Sequence, residues 1–195
     1  MSTAIATPPG SYYDATLKTQ AIRLLPADYL ATDEPVALVT LLGSCVAACL
    51  YDPVLGLGGM NHFMLPGGDV NDATSARYGA NAMELLINDL LKRGARRQRL
   101  QAKVFGGGNV LSGFHSDPIG TRNAGFVVDY LAAEKIPVVA SDLGDNQARK
   151  VCFFVQNGRS LVKRLPATRD GVVDTERALY GRLARAPASG TVELF

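Results

Sequence analysis

Residues 36–66 read VALVTLLGSCVAACLYDPVLGLGGMNHFMLP, and this stretch decides how the chain folds. Two runs within it, residues 36–42 and 45–51, are rich in Val, Leu, Ala and Cys and contain neither proline nor a charged residue. Uninterrupted apolar runs of this length are typical of buried strands. The Asp-Pro pair at 52–53 favours a turn, and residues 57–64 resume an extended apolar run. The stretch therefore predicts buried strands, the last two of which form an antiparallel hairpin.

The same stretch contains a cysteine and a histidine that together could carry nucleophilic chemistry. Cys45 follows a glycine and a serine, whose small side chains leave the sulfur little shielded, and His62 is one of only two histidines in the chain. A thiol becomes an effective nucleophile when an imidazole accepts its proton. The competing interpretation is that Cys45 is a small core residue, as most buried cysteines are. We interpret Cys49 and Cys152 in that second way.

The register of the hairpin decides whether the two side chains can meet. A loop of four residues, 52–55, sets Cys45 directly opposite His62, with Cβ atoms about 4.5–5.5 Å apart. A loop of five residues pairs Cys45 with Phe63 instead and turns His62 to the other face of the sheet. The cysteine–histidine hypothesis requires the first register.

A third group is needed to orient the imidazole. Thr40 is the better of the nearby hydroxyls, because we expect it to lie in the neighbouring strand; its competing role is that of an ordinary β-branched strand residue. The backbone N–H groups of Ser44 and Cys45 are the candidate donors to an oxyanion. His115 is the rival base, although its loop of Gly, Ser, Asp and Pro indicates an exposed histidine.

Several separate motifs occur in a fixed order and resemble those of a known family. They are TLLGSC at 40–45, GGMNHFMLP at 58–66, KVFGGGN at 103–109, IGxRN at 119–123 and the terminal VELF. From about residue 24 to 165 the chain resembles the chemoreceptor glutamine deamidases, the CheD family of bacterial chemotaxis.

The resemblance implies a function, a fold and a set of partners. The expected activity is protein-glutamine glutaminase: hydrolysis of glutamine side chains to glutamate on methyl-accepting chemotaxis receptors, with Cys45 as nucleophile, His62 as general base and acid, and Thr40 as the orienting residue. The expected fold is α/β (α+β), a mixed or antiparallel β-sheet sandwich flanked by helices, similar to cysteine hydrolases. Neither a metal nor another cofactor is implied. A CheC-type phosphatase is a further partner known for the family.

Two other classes of function use the same residues. A thiol peptidase or transglutaminase could employ the same cysteine and histidine. A non-catalytic module could regulate chemotaxis by docking, with Cys45 serving only as a core residue.

Composition limits the class of protein. A length of 195 residues, 47% apolar and 19% charged, favours one globular domain. We predict a disordered leader at 1–20 and a single domain at 21–195 with a C-terminal helix and tail. Three cysteines at unrelated spacings do not indicate a disulfide framework, and neither a signal sequence nor a long apolar run is found, so we expect a cytoplasmic protein without direct membrane insertion.

The net charge of +2 does not predict nucleic-acid binding, which we do not expect. One region is strongly basic, however, and contains no acid: it holds Lys92, Arg93, Arg96, Arg97, Arg99 and Lys103. This basic cluster is either a solvated helix end or a docking patch for an acidic partner.

Periodicity predicts the remaining elements. Helices are expected at 74–93, 119–134 and 168–185, and strands at 100–105, 136–141, 151–155 and 159–163, the last two joined by an Asn-Gly turn. The glycines at 106–108 lack the pattern of a phosphate-binding loop and indicate a tight structural loop beside the active site.

Overall fold

The computed structural model describes residues 10–65, 72–110 and 119–166, together with residues 174 and 178. Within this part of the chain we find ten strands, two α-helices and a short 3-10 helix (Arg97–Arg99). The strands are β1 (Ser11–Asp14), β2 (Thr19–Arg23), β3 (Tyr29–Thr32), β4 (Ala37–Leu42), β5 (Val46–Asp52), β6 (Leu57–Asn61), β7 (Gln101–Gly106), β8 (Val138–Leu143), β9 (Arg149–Phe154) and β10 (Arg159–Arg164); the helices are α1 (Asp72–Lys92) and α2 (Ile119–Ala133).

The strands form two five-stranded sheets that we call sheet A and sheet B. Sheet A has the order β1-β2-β4-β9-β10, and sheet B has the order β3-β6-β5-β7-β8. Both are mixed, because β2 runs parallel to β4 and β7 runs parallel to β8, while all other neighbours are antiparallel. The predicted mixed sandwich with flanking helices is thus confirmed.

The two sheets and the helices form three layers with two hydrophobic interiors. Both helices contact sheet B, α1 through β3 and β6, and α2 through β5, β7 and β8. Strand β5 shows how the layers are specified, since Val46, Ala48 and Leu50 pack on the helix side and Ala47 and Cys49 pack between the sheets. Alternation along one strand therefore supplies both interiors, which is why β5 reads as a continuous apolar run.

Helix α1 covers sheet B with one apolar face. Met83, Leu86, Ile87 and Leu90 recur at the spacing of a single helical face, and all four are buried. The predicted helices at 74–93 and 119–134 and the strands of the 100–163 region are confirmed, with bounds that differ by at most two residues. The expected helix at 168–185 lies outside the described residues apart from residues 174 and 178, which are helical.

The predicted leader needs a correction. Residues assigned to a disordered segment at 1–20 include β1 and the start of β2, which pair with each other from Asp14–Thr19 to Ser11–Ile22. Strand β2 then pairs with β4. The ordered domain therefore begins at least ten residues before the predicted boundary at 21. Strand β1 lacks the apolar alternation that predicts a strand, since its side chains are half-buried or exposed.

The predicted register of the β5–β6 hairpin was also wrong, although the predicted face was right. Strand pairing runs from Asp52–Leu57 to Cys49–Met60, so the four-residue loop starts at residue 53 and not at 52. The side chain of Asp52 accepts the amide of Val54, and its carbonyl accepts the amide of Gly56, whose φ is +64°. These bonds place Asp52 in the strand and the glycine at the end of the loop.

Candidate active site

Cys45 lies where the chain crosses from one sheet to the other. Strand β4 of sheet A ends at Leu42 and β5 of sheet B begins at Val46, so residues 43–45 form the crossover. All three carbonyl groups of the crossover are bound: that of residue 43 accepts the amide of Gly108 at 2.8 Å, that of residue 44 accepts Nδ2 of Asn123 at 2.7 Å, and that of Cys45 accepts the amide of Gly107 at 2.8 Å. These bonds fix the peptide planes on both sides of the candidate nucleophile.

The glycine loop that follows β7 makes this close approach possible. A Cβ atom on Gly106 would lie only 2.2 Å from the carbonyl oxygen of Cys45, and the φ of Gly106 is +109°. Gly107 also has a positive φ, of +64°. Glycine alone combines a positive φ with the absence of a Cβ atom that would collide with Cys45. The loop therefore lies beside Cys45, as the sequence predicted.

His62 follows the last residue of β6 and is held by the turn before β3. Its amide donates to the carbonyl of Asp28 at 2.9 Å, and its carbonyl accepts the amide of Ala27 at 2.8 Å. The residue is 2% exposed, and its Nε2 atom is buried. The histidine backbone is therefore anchored independently of the hairpin.

The observed register places Cys45 and His62 diagonally and not directly opposite each other. The bridge between Val46 and Phe63 continues the β5–β6 register, which sets Cys45 opposite Met64. The change from the predicted register is two residues, so His62 stays on the inner face with Cys45 and Met64. Diagonal neighbours in a regular ladder lie about 7–8 Å apart between Cα atoms.

Thr40 contacts His62, but it does so from the opposite sheet. The predicted position in a strand neighbouring the hairpin was wrong, because β4 belongs to sheet A. Leu38 and Leu42 of β4 pack in the core between the sheets, and Thr40 lies on that same face. Its Oγ1 atom lies 2.8 Å from Nδ1 of His62 and donates to the carbonyl of Leu24 at 2.9 Å.

These two hydrogen bonds determine the tautomer of the neutral imidazole. The threonine hydroxyl has one proton, and the carbonyl of Leu24 can only accept, so that proton is committed to Leu24. The hydroxyl oxygen must then accept a proton from Nδ1 of His62. Nε2 is consequently the unprotonated nitrogen and the one able to act as a base.

The site is closed in this structure. Cys45 is 0% exposed and Ser44 is 1% exposed. A cavity of about 200 Å³ lies elsewhere and is lined by residues that include Cys49, Lys103 and Phe153. A substrate side chain therefore reaches the sulfur of Cys45 only after the groups that cover it have moved.

The other cysteines behave as core residues, as predicted. Cys49 and Cys152 are buried, and neither forms a disulfide. Burial raises the pKa of both thiols, and the nearby ammonium groups of Lys103 and Lys150 only partly oppose this effect. Neither is suited to form a thiolate. The rival base His115 lies outside the described residues.

Sequence reasoning underestimated two residues that support the site. Asn123, the last residue of the IGxRN motif, is fully buried and binds the crossover. Arg149, also fully buried, donates to the carbonyls of Gly106, Asp142 and Gly144, and so joins the glycine loop to the turn after β8. No local pattern marked either residue as buried, because Asn123 follows Arg122 and Arg149 precedes Lys150, and both therefore lie in polar stretches of the sequence.

The basic cluster is largely bound within the chain. Arg93 pairs with Asp89 at 3.1 Å, and Arg97 pairs with Glu134. Arg99 pairs at 2.7 Å with a fully buried carboxylate, that of Asp52. Lys103 donates to the carbonyl of Gly158 at 2.7 Å. These contacts favour a structural role over a docking patch.

In the part of the chain that the structure describes, no group of three or more His, Cys, Asp or Glu side chains could hold a metal ion. The helices described there are too short or too polar to span a membrane.

Comparison with known proteins gives a consistent result. A family model described as CheD chemotactic sensory transduction matches residues 64–164. A protein of Stenotrophomonas maltophilia (strain R551-3), named probable chemoreceptor glutamine deamidase CheD, is 59% identical over 185 residues, which cover 94% of this chain and 93% of the relative. A protein of the same name from Janthinobacterium sp. (strain Marseille) is 53% identical over 189 residues, with the same coverage of both chains.

Among solved structures, the Bacillus licheniformis hypothetical protein YfiH aligns with a TM-score of 0.40 and 16% identity, over 59% of this chain and 50% of that one. A likeness of this degree carries no conclusion. The match to the family model and the identity to full-length relatives are sufficient, and the chain belongs to the CheD family.

Proposed function

We propose that this protein deamidates glutamine side chains of chemoreceptors, with Cys45 as nucleophile, His62 as general base and acid, and Thr40 as the residue that orients the imidazole. The names of the relatives support the reaction and its substrate. The observation that carries the assignment of residues is the hydrogen-bond chain from His62 through Thr40 to Leu24, which leaves Nε2 as the basic nitrogen.

The first half of the reaction forms a thioester. A free thiol has a pKa of about 8.5, so at neutral pH a base must remove its proton. Nε2 of His62 accepts the proton of the Cys45 thiol, and the sulfur attacks the side-chain amide carbon of glutamine. The tetrahedral intermediate then expels its nitrogen, which takes the proton from Nε2 and leaves as ammonia.

The second half of the reaction releases glutamate. Nε2 of His62 takes a proton from water, whose oxygen attacks the thioester carbon. The carbon–sulfur bond breaks, and the thiol of Cys45 regains the proton from the imidazole. Throughout both halves Nδ1 keeps its hydrogen bond to Thr40, so the imidazole changes charge without changing orientation.

The amides of Ser44 and Cys45 are the proposed donors to the oxyanion. The carbonyls of residues 43 and 44 are bound by Gly108 and Asn123, and in each peptide unit the N–H group points away from the carbonyl. The two amides are thus held in fixed directions before substrate binds, as electrostatic stabilisation of a transition state requires.

The decisive test is mass spectrometry of receptor cytoplasmic fragments after incubation with the wild-type protein or with Cys45→Ala, Cys49→Ala or Cys152→Ala. We expect conversion of particular glutamines to glutamate, with release of ammonia, by every protein except Cys45→Ala. Cleaved or crosslinked receptor would indicate a peptidase or a transglutaminase. An inactive wild type, with Cys45→Ala still regulating chemotaxis in cells, would support a non-catalytic docking module.

Separate alanine variants of the two histidines identify the base. His62→Ala is expected to abolish deamidation and His115→Ala to preserve it. The opposite result would reject the assignment of His62.

Three further proposals follow from membership of the family. A CheC-type phosphatase is a candidate partner, and a binding assay with the purified protein tests it. A cytoplasmic location and a single domain that extends to the C-terminal helix and tail are the other two, to be tested by cell fractionation and by limited proteolysis.

A further inference from the structure

We propose that Asn123 is a positioning residue of the active site, which sets the nucleophile crossover and the histidine segment relative to each other. This inference rests on the proposed function, since it assigns a role within the same site. Asn123 lies in the first turns of α2 and is 0% exposed. Its side-chain hydrogen bonds go to backbone groups and not to the sulfur of Cys45 or the imidazole of His62, so its effect is exerted through the backbone.

The side-chain amide of Asn123 bridges two segments that are far apart in sequence. Nδ2 donates to the carbonyl of Ser44 at 2.7 Å, one residue before Cys45. Oδ1 accepts the backbone amide of Leu65 at 2.8 Å, three residues after His62. Because the carbonyl can only accept and the backbone amide can only donate, the orientation of the Asn123 amide is determined.

This bridge matters because the β5–β6 ladder is interrupted beside His62. The regular pairing stops at Cys49–Met60 and resumes only at the single bridge between Val46 and Phe63. In between, the amide of Ala48 donates to the side chain of Asn61 at 2.9 Å. Beside His62 the ladder is therefore reduced to the two backbone hydrogen bonds between Val46 and Phe63, each of 2.9 Å, and Asn123 supplies a second connection between the two segments.

The chemistry of the bridge requires a side chain of this length with one donor and one acceptor. An ionised aspartate has the same shape but presents a carboxylate oxygen to the carbonyl of Ser44, and the two oxygens repel. A protonated aspartic acid restores the pattern, because its O–H can donate to Ser44 while its other oxygen accepts from Leu65. Burial favours the protonated form, so this restoration occurs at mildly acidic pH.

Asn123→Asp therefore provides a test that a merely structural role does not pass. We expect kcat for deamidation to fall about 10- to 100-fold at pH 8 with KM within about threefold of wild type, as for a small misplacement of reacting groups. The ratio of the kcat of Asn123→Asp to the kcat of wild type should rise as the pH is lowered. Dividing by the wild-type kcat at each pH removes the part of the pH dependence that both proteins share.

Two other variants complete the design. Asn123→Ser is too short to bridge and carries no ionisable group, so its kcat should be lowered by a factor that does not change with pH. Asp52→Asn alters the far end of the hairpin and controls for lost stability, and its kcat should match wild type. A wild-type kcat in Asn123→Ser, or a pH-independent ratio in Asn123→Asp, would overturn the proposal.

The rate of Cys45 alkylation by iodoacetamide, followed by peptide mass spectrometry, separates this proposal from the proposed function. The same ratio of Asn123→Asp to wild type should rise toward acidic pH in this assay, which involves no glutamine. If wild type does not deamidate receptors but the alkylation ratio behaves as expected, the proposed function fails and the role of Asn123 stands. If wild type deamidates receptors but neither the kcat ratio nor the alkylation ratio changes with pH, the proposed function stands and the role of Asn123 is rejected.

Discussion

The hydroxyl oxygen of Thr40 and Nδ1 of His62 lie 2.8 Å apart across the interior of the sandwich, although the two residues belong to different sheets. The threonine hydroxyl donates its hydrogen bond to the carbonyl of Leu24 and so accepts one from the N–H group at Nδ1 of the imidazole. A neutral hydroxyl thereby does the work that a carboxylate does in many triads, which is to select the tautomer with a basic Nε2.

Thr40→Val tests this role directly. Valine has nearly the same shape as threonine but leaves Nδ1 of His62 without its acceptor, so both tautomers and other ring orientations become populated. We expect kcat to fall about 10- to 100-fold with KM nearly unchanged. Thr40→Ser keeps the hydroxyl and should retain most of the activity, as measured by ammonia release. Equal activities of the two variants would show that the hydroxyl is not used.

Gly106→Ala should damage both stability and activity. Its new Cβ atom would meet the carbonyl of Cys45 at 2.2 Å, and the residue has a φ of +109°. We expect a loss of more than about 2 kcal/mol in the free energy of unfolding. Gly125→Ala is the matched control, because its Cβ meets nothing within 4 Å and helix α2 gains about 0.5–1 kcal/mol from alanine. Urea unfolding of both variants measures the contrast.

Arg149→Lys should unfold far more readily than Arg164→Lys. Arg149 is completely buried and its guanidinium binds several carbonyl groups at once, which a lysine ammonium cannot do. We expect a loss of about 3–5 kcal/mol in the free energy of unfolding. Arg164 is half exposed, and its pairs with Asp142 and Asp145 are worth about 1 kcal/mol or less. Similar losses of unfolding free energy for Arg149→Lys and Arg164→Lys would show that the buried hydrogen bonds of Arg149 do not stabilise the fold.

The ion pair of Asp52 and Arg99 should make stability depend on pH. Burial alone would raise the pKa of Asp52, but hydrogen bonds from the Arg99 guanidinium and from the amides of Arg96 and Val54 outweigh it, and the pKa is lowered. The carboxylate therefore stabilises the fold above its unfolded pKa of about 3.9, and this contribution is lost as the pH falls through the lower folded value.

Asp52→Asn is thus expected to be less stable than wild type by about 1–3 kcal/mol at pH 7. The difference should shrink in urea unfolding series as the pH is lowered below about 4. A difference that stays constant down to pH 2 would show that the charge of Asp52 contributes nothing.

Sequence patterns predicted the face of each strand better than its register. Alternation placed Cys45 and His62 on one face, and this is correct because the real register differs from the predicted one by two residues. What periodicity does not encode is where the loop begins. That was decided by side-chain and backbone hydrogen bonds of Asp52 and by the positive φ of Gly56, which moved the loop by a single residue.

The residue types of the candidate site could be predicted from the sequence, but the way the fold brings them together could not. Thr40 was expected to neighbour the hairpin within one sheet, but residues 43–45 carry the chain across to the other sheet. A short crossover and a tight turn of small residues look alike in sequence. The buried position of Asn123 was not predicted because its partners are backbone groups of distant segments, and no local pattern reports such contacts.

The crossover at residues 43–45 makes the proposed chemistry depend on how the two sheets of the sandwich are placed relative to each other. A slip of one sheet over the other by a single residue repeat, about 3.3 Å, separates the threonine hydroxyl from the imidazole while every ladder within each sheet survives. Conservative substitutions in the interior between the two sheets can therefore abolish the proposed activity without unfolding the protein.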